Sequence, residues 1–436
     1  MGTARAALRN QVRWAILHRG VRTYGSLQTR RGDPLARFLF APGARANPYP
    51  VFDDVRARGR LVETKLMHVT VDHALATGIL RDSQTFGVAF SDVQGVPRFV
   101  SWAFQAPDPE IASPVDAPSL LAVDPPEHSR YRRLVTRPFT PKALQKVADR
   151  VEERAIELLD GLAGKRRVDI VDEYADQLPV AVIAEILGVP ADMHAQFLAW
   201  GHAAAPVLDL GLSHKQYTAV NQALRGMNQW FDEHFANLRR KPGDDILSQL
   251  VNADPDERLT DLELRATALL LLGAGFETTV NLLGSSVAVL APDEKSRARL
   301  AAEPDLWPQA VEELLRFESP VQLTGRVAWK DTEVDGVEIP KGTAIISLLG
   351  GCNRDPNVFD NPDVFDLDRP NSREHVAFSG GIHYCLGANL AKMEGQVGLR
   401  MLFERFPDLE LAPHGGVQHD MQALRGYRSL WVDLND

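Results

Sequence analysis

The stretch Phe378-Ser379-Gly380-Gly381-Ile382-His383-Tyr384-Cys385-Leu386-Gly387 is the most specific segment of this 436-residue chain. Its paired glycines at 380 and 381 allow unusual backbone angles and the close approach of a flat ligand. Cys385 precedes a predicted helix, whose first-turn N–H groups and dipole favour an anion. We therefore expect the pKa of its thiol to be lowered toward the thiolate. Gly387 leaves room for a ligand lying over the sulfur.

Three other interpretations of Cys385 stay open on the residues alone. A lone free cysteine is most often a small buried residue. A disulfide with Cys352 is disfavoured, because two cysteines cannot staple a chain of this length and indicate a reducing, cytoplasmic setting. A zinc site is disfavoured because no second cysteine lies at the spacing of metal ligands.

A long helix is predicted upstream of this segment. Thr260 followed by Glu263 forms a capping box, and the helical pattern continues to Leu290, before Pro292. The helix would span about 30 residues and about 45 Å. Because residues 268–276 are apolar on every face, we expect it to run through the middle of the protein.

Directly after the apolar run comes Glu277-Thr278-Thr279. A carboxylate and two hydroxyls beside a buried segment are costly unless they are hydrogen-bonded or face a cavity. In the alternative interpretation, the threonines only bond the carbonyl one turn back. A nucleotide loop beginning at Gly273 is disfavoured, because Thr278 replaces the third glycine and no strand precedes.

Composition and periodicity indicate the class of protein. The formal net charge of −10 argues against nucleic acid as the main partner, since phosphate binding needs a concentrated cationic surface. No run of about 18 uncharged apolar residues appears, so no transmembrane helix is expected. Helical periodicity dominates residues 125–318, and a strand-rich stretch follows from Val327 to Leu349. The prediction is a mainly α fold with a smaller β part.

Residues 1–45 form a basic N-terminal extension with nine arginines, no lysine and one acid, Asp33. The segment fits either a membrane-surface helix or transit-like leader, or a solvated extension packed on the domain surface.

Three motifs resemble those of one known family. Phe378-x-x-Gly381-x-x-x-Cys385-x-Gly387 resembles the haem-ligand loop of the cytochrome P450 family, and residues 274–279 resemble its oxygen-activation motif. Residues 313–316 match its ExxR element. The similarity covers roughly residues 47–436, in the style of the soluble bacterial members. It predicts a single catalytic domain over residues 46–436, with the long helix lying over a haem. Ser379, where many relatives have glycine, and Glu277, where many have aspartate, depart from the pattern.

The resemblance implies that Cys385 is the axial thiolate ligand of the iron of haem b, a ligation that favours cleavage of an O–O bond. Other residues implied to contact the cofactor are Phe378, Gly381, Gly387, Ala274 and Gly275, together with the propionate ligands His128, Arg132, Arg326 and His383. Glu313, Arg316 and Arg369 would form a buried structural ion-pair network.

Thr278 and Glu277 would manage the protons of a monooxygenation that converts an organic substrate, O2, two electrons and two protons into hydroxylated product and water. The chain has no flavin or nicotinamide fingerprint. Electrons would therefore come from a ferredoxin and an NAD(P)H-dependent ferredoxin reductase. Residues 124–150 carry an excess of four positive charges, which either steer an acidic ferredoxin or form a solvated helix face.

The sequence says less about the substrate. Residues 90–120 and 203–212 are the expected entrance and lid, and Ala274, Phe276, Val321 and Leu323 are the expected pocket wall. They indicate an apolar ligand such as a lipid, steroid, terpenoid or polyketide, bound by a monomer. Competing hypotheses are a peroxide-driven or isomerising haem-thiolate enzyme, a haem-based gas or redox sensor, and a helical binding protein without a cofactor.

Overall fold

Helices dominate the computed structural model, which describes residues 9–90, 93, 111–254 and 258–434. The predicted mainly α class is confirmed. The α-helices, numbered α1 to α15 in chain order, are Val21–Arg30, Pro34–Phe40, Tyr49–Arg58, His73–Arg81, Glu127–Thr136, Pro141–Asp160, Gln177–Leu187, His194–Ala204, His214–Arg240, Ile246–Val251, Asp261–Leu290, Glu294–Ala302, Trp307–Phe317, Leu349–Cys352 and Ala388–Arg405.

The β part is small and is divided among three sheets. The strands, β1 to β10, are Val62–Glu63, His68–Thr70, Phe86–Gly87, Arg167–Asp169, Thr324–Ala328, Thr332–Val334, Val337–Ile339, Ala344–Ser347, Glu410–Gln418 and Tyr427–Asp433. The largest sheet has the order β1-β2-β8-β5-β3, with β2 and β8 parallel and the other neighbours antiparallel. The predicted strand-rich stretch from Val327 to Leu349 is present as strands β5 to β8, and β9 pairs with β10 near the end of the described residues.

The central helix α11 has the predicted bounds. Thr260 caps it, with Thr260 and Glu263 forming both bonds of the capping box. It is long and apolar enough to cross a membrane, but 72% of its most apolar window is buried inside the protein, as in a core helix. Helix α15 packs closely against its C-terminal half, because a Cβ at Gly395 would lie only 3.1 Å from Leu282.

The described part of the N-terminal extension is helical and packs on the rest of the protein. Trp14 Nε1 donates to the carbonyl of Leu212 at 3.1 Å, and His18 Nδ1 accepts from the N–H of Leu212 at 3.2 Å. Arg13 pairs with Asp116 at 3.3 Å. These contacts favour the packed extension over a membrane-surface helix. Residues 1–8, with the first arginine, lie outside the described residues.

Candidate active site

The cysteine loop is held by backbone contacts that position the sulfur ahead of α15. The N–H of Cys385 donates to the carbonyl of Phe378 at 3.0 Å. The N–H of Gly387 hydrogen-bonds the sulfur from the N-cap position of α15. Gly381 has φ +67°, and a Cβ there would lie 2.3 Å from the carbonyl oxygen of Leu80. Glycine is therefore required at 381 for both conformation and space.

The environment of Cys385 differs from the expectation in one respect. Burial raises the pKa of the thiol, and this outweighs the opposing effects of the Gly387 N–H and Arg132. The prediction that the helix terminus lowers the pKa of this thiol is therefore wrong for the protein groups alone, because the surrounding protein removes water from the sulfur. The Cys385 residue is nevertheless partly exposed. A Cβ at Gly387 would meet nothing within 4 Å, which leaves the space that a flat ligand needs.

Two of the alternatives for Cys385 find no support in the described residues. Cys352 and Cys385 are both free, and Cys352 is fully buried in α14. In the described residues, no group of three or more His, Cys, Asp or Glu side chains could hold a metal ion. Neither a disulfide nor a zinc site of that kind is present there.

One face of the central helix borders open space. Ala274 is exposed and Thr278 is half-buried, although most of the surrounding helix is buried. The two residues are four apart and share this accessible face, which we call the cavity face. The Thr278 hydroxyl donates to the carbonyl of Ala274 at 2.8 Å, the one-turn-back bond of the alternative interpretation. The helix continues unbroken through this point.

Two predicted contacts with the cofactor or substrate are corrected here. A Cβ at Gly275 would lie 2.7 Å from Ile183 Cγ1, so Gly275 faces α7. Phe276 is fully buried, and its ring lies against Gly201 of α8. Because both residues pack against neighbouring helices, neither belongs to the face that carries Ala274 and Thr278.

Several predicted propionate ligands have buried polar atoms that make no hydrogen bond within the protein. These atoms are Nε2 of His128, Nε2 of His383 and Nη2 of Arg326. The rings of His128 and His383 lie 4.3 Å apart. Burial lowers the pKa of His128 to about 4 and that of Arg326 to about 10. Arg132, on the same helix as His128, is half-buried and interacts electrostatically with Cys385. Buried donors and cations are stable only when paired, so this set fits the two carboxylates of a haem.

Asp124 completes this cluster, and sequence reasoning did not assign it a role. Its carboxylate accepts from the N–H groups of Val88 and Ala89 at 3.0–3.1 Å and lies 3.6 Å from His383 Nε2. Although burial opposes its ionisation, His383 and these N–H groups lower the pKa of Asp124. The acid lies four residues before His128, a helical spacing that could have suggested a shared site.

The predicted structural network is present and fully buried. Glu313 binds Arg316 through two hydrogen bonds of 2.7 and 2.8 Å, and Arg369 Nε donates to Glu313 at 3.0 Å. Arg316 also donates to the carbonyls of residues 353, 362 and 364. The network joins α13 to the segment that leads to the cysteine loop.

The structure describes the expected entrance and pocket wall only in part. Residues 91–92 and 94–110 lie outside the described residues, and residues 111–120 form turns. Val321 forms a β-bridge with Leu424 and packs against the apolar cluster that contains Leu80. Leu323 packs against the apolar cluster that contains Phe52.

Comparisons with known proteins place this site in a family. A cytochrome P450 family model matches residues 204–424. The chain is 44% identical to a putative cytochrome P450 140 of Mycobacterium tuberculosis over 432 residues, covering 98% of each protein. It is 39% identical to the polyketide biosynthesis cytochrome P450 PksS of Bacillus subtilis, over 72% of this chain and 78% of that protein.

Among solved structures, the fold resembles that of P450BioI in complex with an acyl carrier protein ligated to hexadec-9Z-enoic acid. The TM-score is 0.82 at 32% sequence identity, covering 90% of this chain and 100% of the other. The chain therefore belongs to the cytochrome P450 family, the haem-thiolate monooxygenases that carry haem b.

Proposed function

We propose that this enzyme hydroxylates an apolar acyl or polyketide-like substrate, with Cys385 as the iron ligand and with electrons from a ferredoxin and its NAD(P)H-dependent reductase. The observation that carries this proposal is the buried set of unpartnered polar atoms on His128, His383 and Arg326, on the same chain as an accessible free cysteine. Asp124 lies beside His383, and without further acceptors for the remaining donors such a set would destabilise the fold.

When bound, haem supplies the activation of O2 and the insertion of one oxygen atom into a C–H bond. The protein residues would divide the remaining tasks. The propionate-binding cluster of His128, Arg132, His383 and Arg326 orients the cofactor. The N–H of Gly387 donates to the cysteine sulfur and tunes its electron density.

Thr278 and Glu277 handle protons in this proposal. The Thr278 hydroxyl lies on the cavity face and can exchange its bond to the Ala274 carbonyl for one to a water in the pocket. Glu277, the adjacent residue, is buried and can pass protons toward that hydroxyl.

The electron partner is proposed from charge. Arg130 pairs with Glu263, and Arg150 lies 3.6 Å from Glu185, so these two arginines are partly neutralised. Arg137 is exposed, as is Lys142, and the side chain of Lys146 lies outside the described residues. The exposed cations would attract an acidic ferredoxin, and raised salt should slow reduction.

The setting and the substrate class are proposals of the same kind. We propose a cytoplasmic monomer with residues 46–436 as its catalytic domain. The two free thiols support the cytoplasmic setting. The proposed acyl or polyketide class follows the printed names of PksS and of the P450BioI complex. Screening fatty acyl, polyketide, steroid and terpenoid compounds for spectral displacement of the iron-bound water would test it, and binding confined to steroids or terpenoids would contradict it.

The reaction is tested by product formation with a ferredoxin system, compared with hydrogen peroxide alone. We expect ferredoxin-dependent product, and Thr278→Ala should still bind haem and substrate while diverting electrons to hydrogen peroxide. Thr267→Ala is a control on the same helix, since Thr267 is buried and lies about two turns before Ala274. Product formed only with peroxide would support the peroxide-driven alternative, and tight coupling in Thr278→Ala would refute the role of this hydroxyl.

A further inference from the structure

Four titratable side chains meet beside the central helix, next to the face that carries Ala274 and Thr278. His202 of α8 lies between two carboxylates, with Nε2 3.1 Å from Asp176 Oδ2 and Nδ1 3.5 Å from Glu277 Oε2. His419, just after β9, places Nε2 3.8 Å from the other oxygen, Glu277 Oε1. The cluster joins the start of α7, α8, the central helix and the β9–β10 connection.

The contact between the two helices is unusually close at this point. A Cβ at Gly201 would lie 2.1 Å from the ring of Phe276, so only glycine permits this separation. The next residue on each helix is His202 or Glu277. The Gly201–Phe276 contact therefore brings the imidazole within reach of the carboxylate.

Burial within the cluster is uneven. Glu277 and Asp176 are 3% and 5% exposed, whereas the His202 side chain is 36% exposed. Asp176 Oδ1, Glu277 Oε2 and His419 Nε2 have no hydrogen-bond partner. Two nearly buried carboxylates thus share one histidine that reaches solvent. Such a pair is stable only with a positive charge between its members.

The charges of the two histidines follow from these contacts. Burial opposes protonation of His202, but Asp176 and Glu277 outweigh it and raise its pKa to about 10. Burial lowers the pKa of His419, despite the attraction of Glu277. At neutral pH the cluster therefore contains an imidazolium at 202 and a neutral imidazole at 419.

The other charged groups that act on the cluster are at its edge. Asp172 acts on Asp176, and Arg428 acts on His419. Both are exposed, so solvent screens them.

We propose that His202 is a positioning and proton-transfer residue, which holds Glu277 through its bridge to Asp176 and connects it to solvent. This inference rests on the proposed role of Glu277 in proton delivery. In one transfer, the proton on His202 Nδ1 moves to Glu277 Oε2, leaving a neutral imidazole and a carboxylic acid. Glu277 then gives this proton toward the pocket, and water at the exposed imidazole edge reprotonates His202.

The test compares His202→Gln with His194→Gln in the haem-loaded protein. His194 also belongs to α8 and is half-buried but lies outside the cluster. His202→Gln should lower kcat by about tenfold. This is less than the loss of a full general acid, which usually costs about a hundredfold or more. It should also raise the solvent isotope effect on kcat and increase peroxide release, with substrate binding unchanged. His194→Gln should behave as the wild type, and His202→Lys should restore part of the coupling.

A second measurement does not depend on turnover. Imidazole NMR should show His202 protonated throughout pH 6–8 in the wild type, and titrating within that range in Asp176→Asn. This inference would be overturned if His202→Gln kept the wild-type coupling and isotope effect while Glu277→Gln was defective. That result would leave the proposed function standing. Wild-type behaviour of Glu277→Gln would refute the proton-delivery role itself, and a wild-type His202 that titrates near pH 6.5 would refute the bridge.

Discussion

Replacing Glu313 with glutamine should destabilise the protein far more than the same change in an exposed ion pair. The Glu313 carboxylate is fully buried and accepts four hydrogen bonds: two from Arg316, one from Arg369 Nε and one from the N–H of Asp366, the last two each at 3.0 Å. Glutamine keeps the volume but replaces one acceptor oxygen by an NH2 group that meets guanidinium donors. It also leaves two buried cations without a counter-charge.

Removing one partner of a buried ion pair typically costs about 3–5 kcal/mol. We expect this loss in the free energy of unfolding of Glu313→Gln, measured by urea denaturation of the haem-loaded protein. Glu157→Gln is the matched control, because Arg154 and Glu157 form a pair at the same i,i+3 spacing, with the Glu157 side chain 66% exposed. That change should cost about 0–1 kcal/mol. Equal losses in the two variants would refute the stabilising role of the buried network.

Two further predictions concern strain and pH. Ser379 has φ +61°, a left-handed conformation that strains a residue with a side chain. Ser379→Gly should therefore stabilise the protein by about 1 kcal/mol, whereas Gly381→Ala should destabilise it. A thermal melt in which Ser379→Gly is no more stable than the wild type would contradict this. Burial raises the pKa of Asp209 to about 6, although the N–H groups of Gln422 and Ala423 oppose this. Between pH 4 and 6, Asp209 keeps its proton in the folded state but has lost it in the unfolded state. The free energy of unfolding should therefore fall by about 3 kcal/mol as pH rises through this range. Asp209→Asn should remove this pH dependence in urea titrations.

Features fixed by local chemistry could be predicted from the sequence. The capping box at Thr260 and the stop before Pro292 gave the central helix its bounds, because each acts within one helical turn. The cysteine loop was recognisable because glycine and cysteine occur at fixed spacings within ten residues. The Glu313–Arg316 pair was predictable for the same reason, since i,i+3 side chains share a helix face.

Features set by packing between distant segments could not be predicted. The pattern around residue 275 did not reveal which face of the helix meets the cavity. Ile183 and Gly201 decide this by packing against Gly275 and Phe276, and they belong to other helices. The bridge between His202 and Asp176 joins residues 26 apart in the chain, with no periodic pattern to connect them.

The pKa of the cysteine thiol shows the same limit. The helix terminus that should lower it is readable from the sequence, whereas the desolvation that raises it depends on all the segments surrounding the loop. The protein groups around Cys385 therefore raise the pKa of its thiol. In the proposed function, iron coordination would stabilise the thiolate.

Coordination of the iron by Cys385 is tested most directly by the absorption spectrum of the reduced, carbon-monoxide-bound protein. The wild type should show the band of thiolate-ligated haem, and Cys352→Ser, which changes the other cysteine, should keep it. Cys385→Ser should lose that band, either through a shifted spectrum or through loss of haem. An unchanged band in Cys385→Ser would contradict the assignment of the ligand and with it the proposed mechanism.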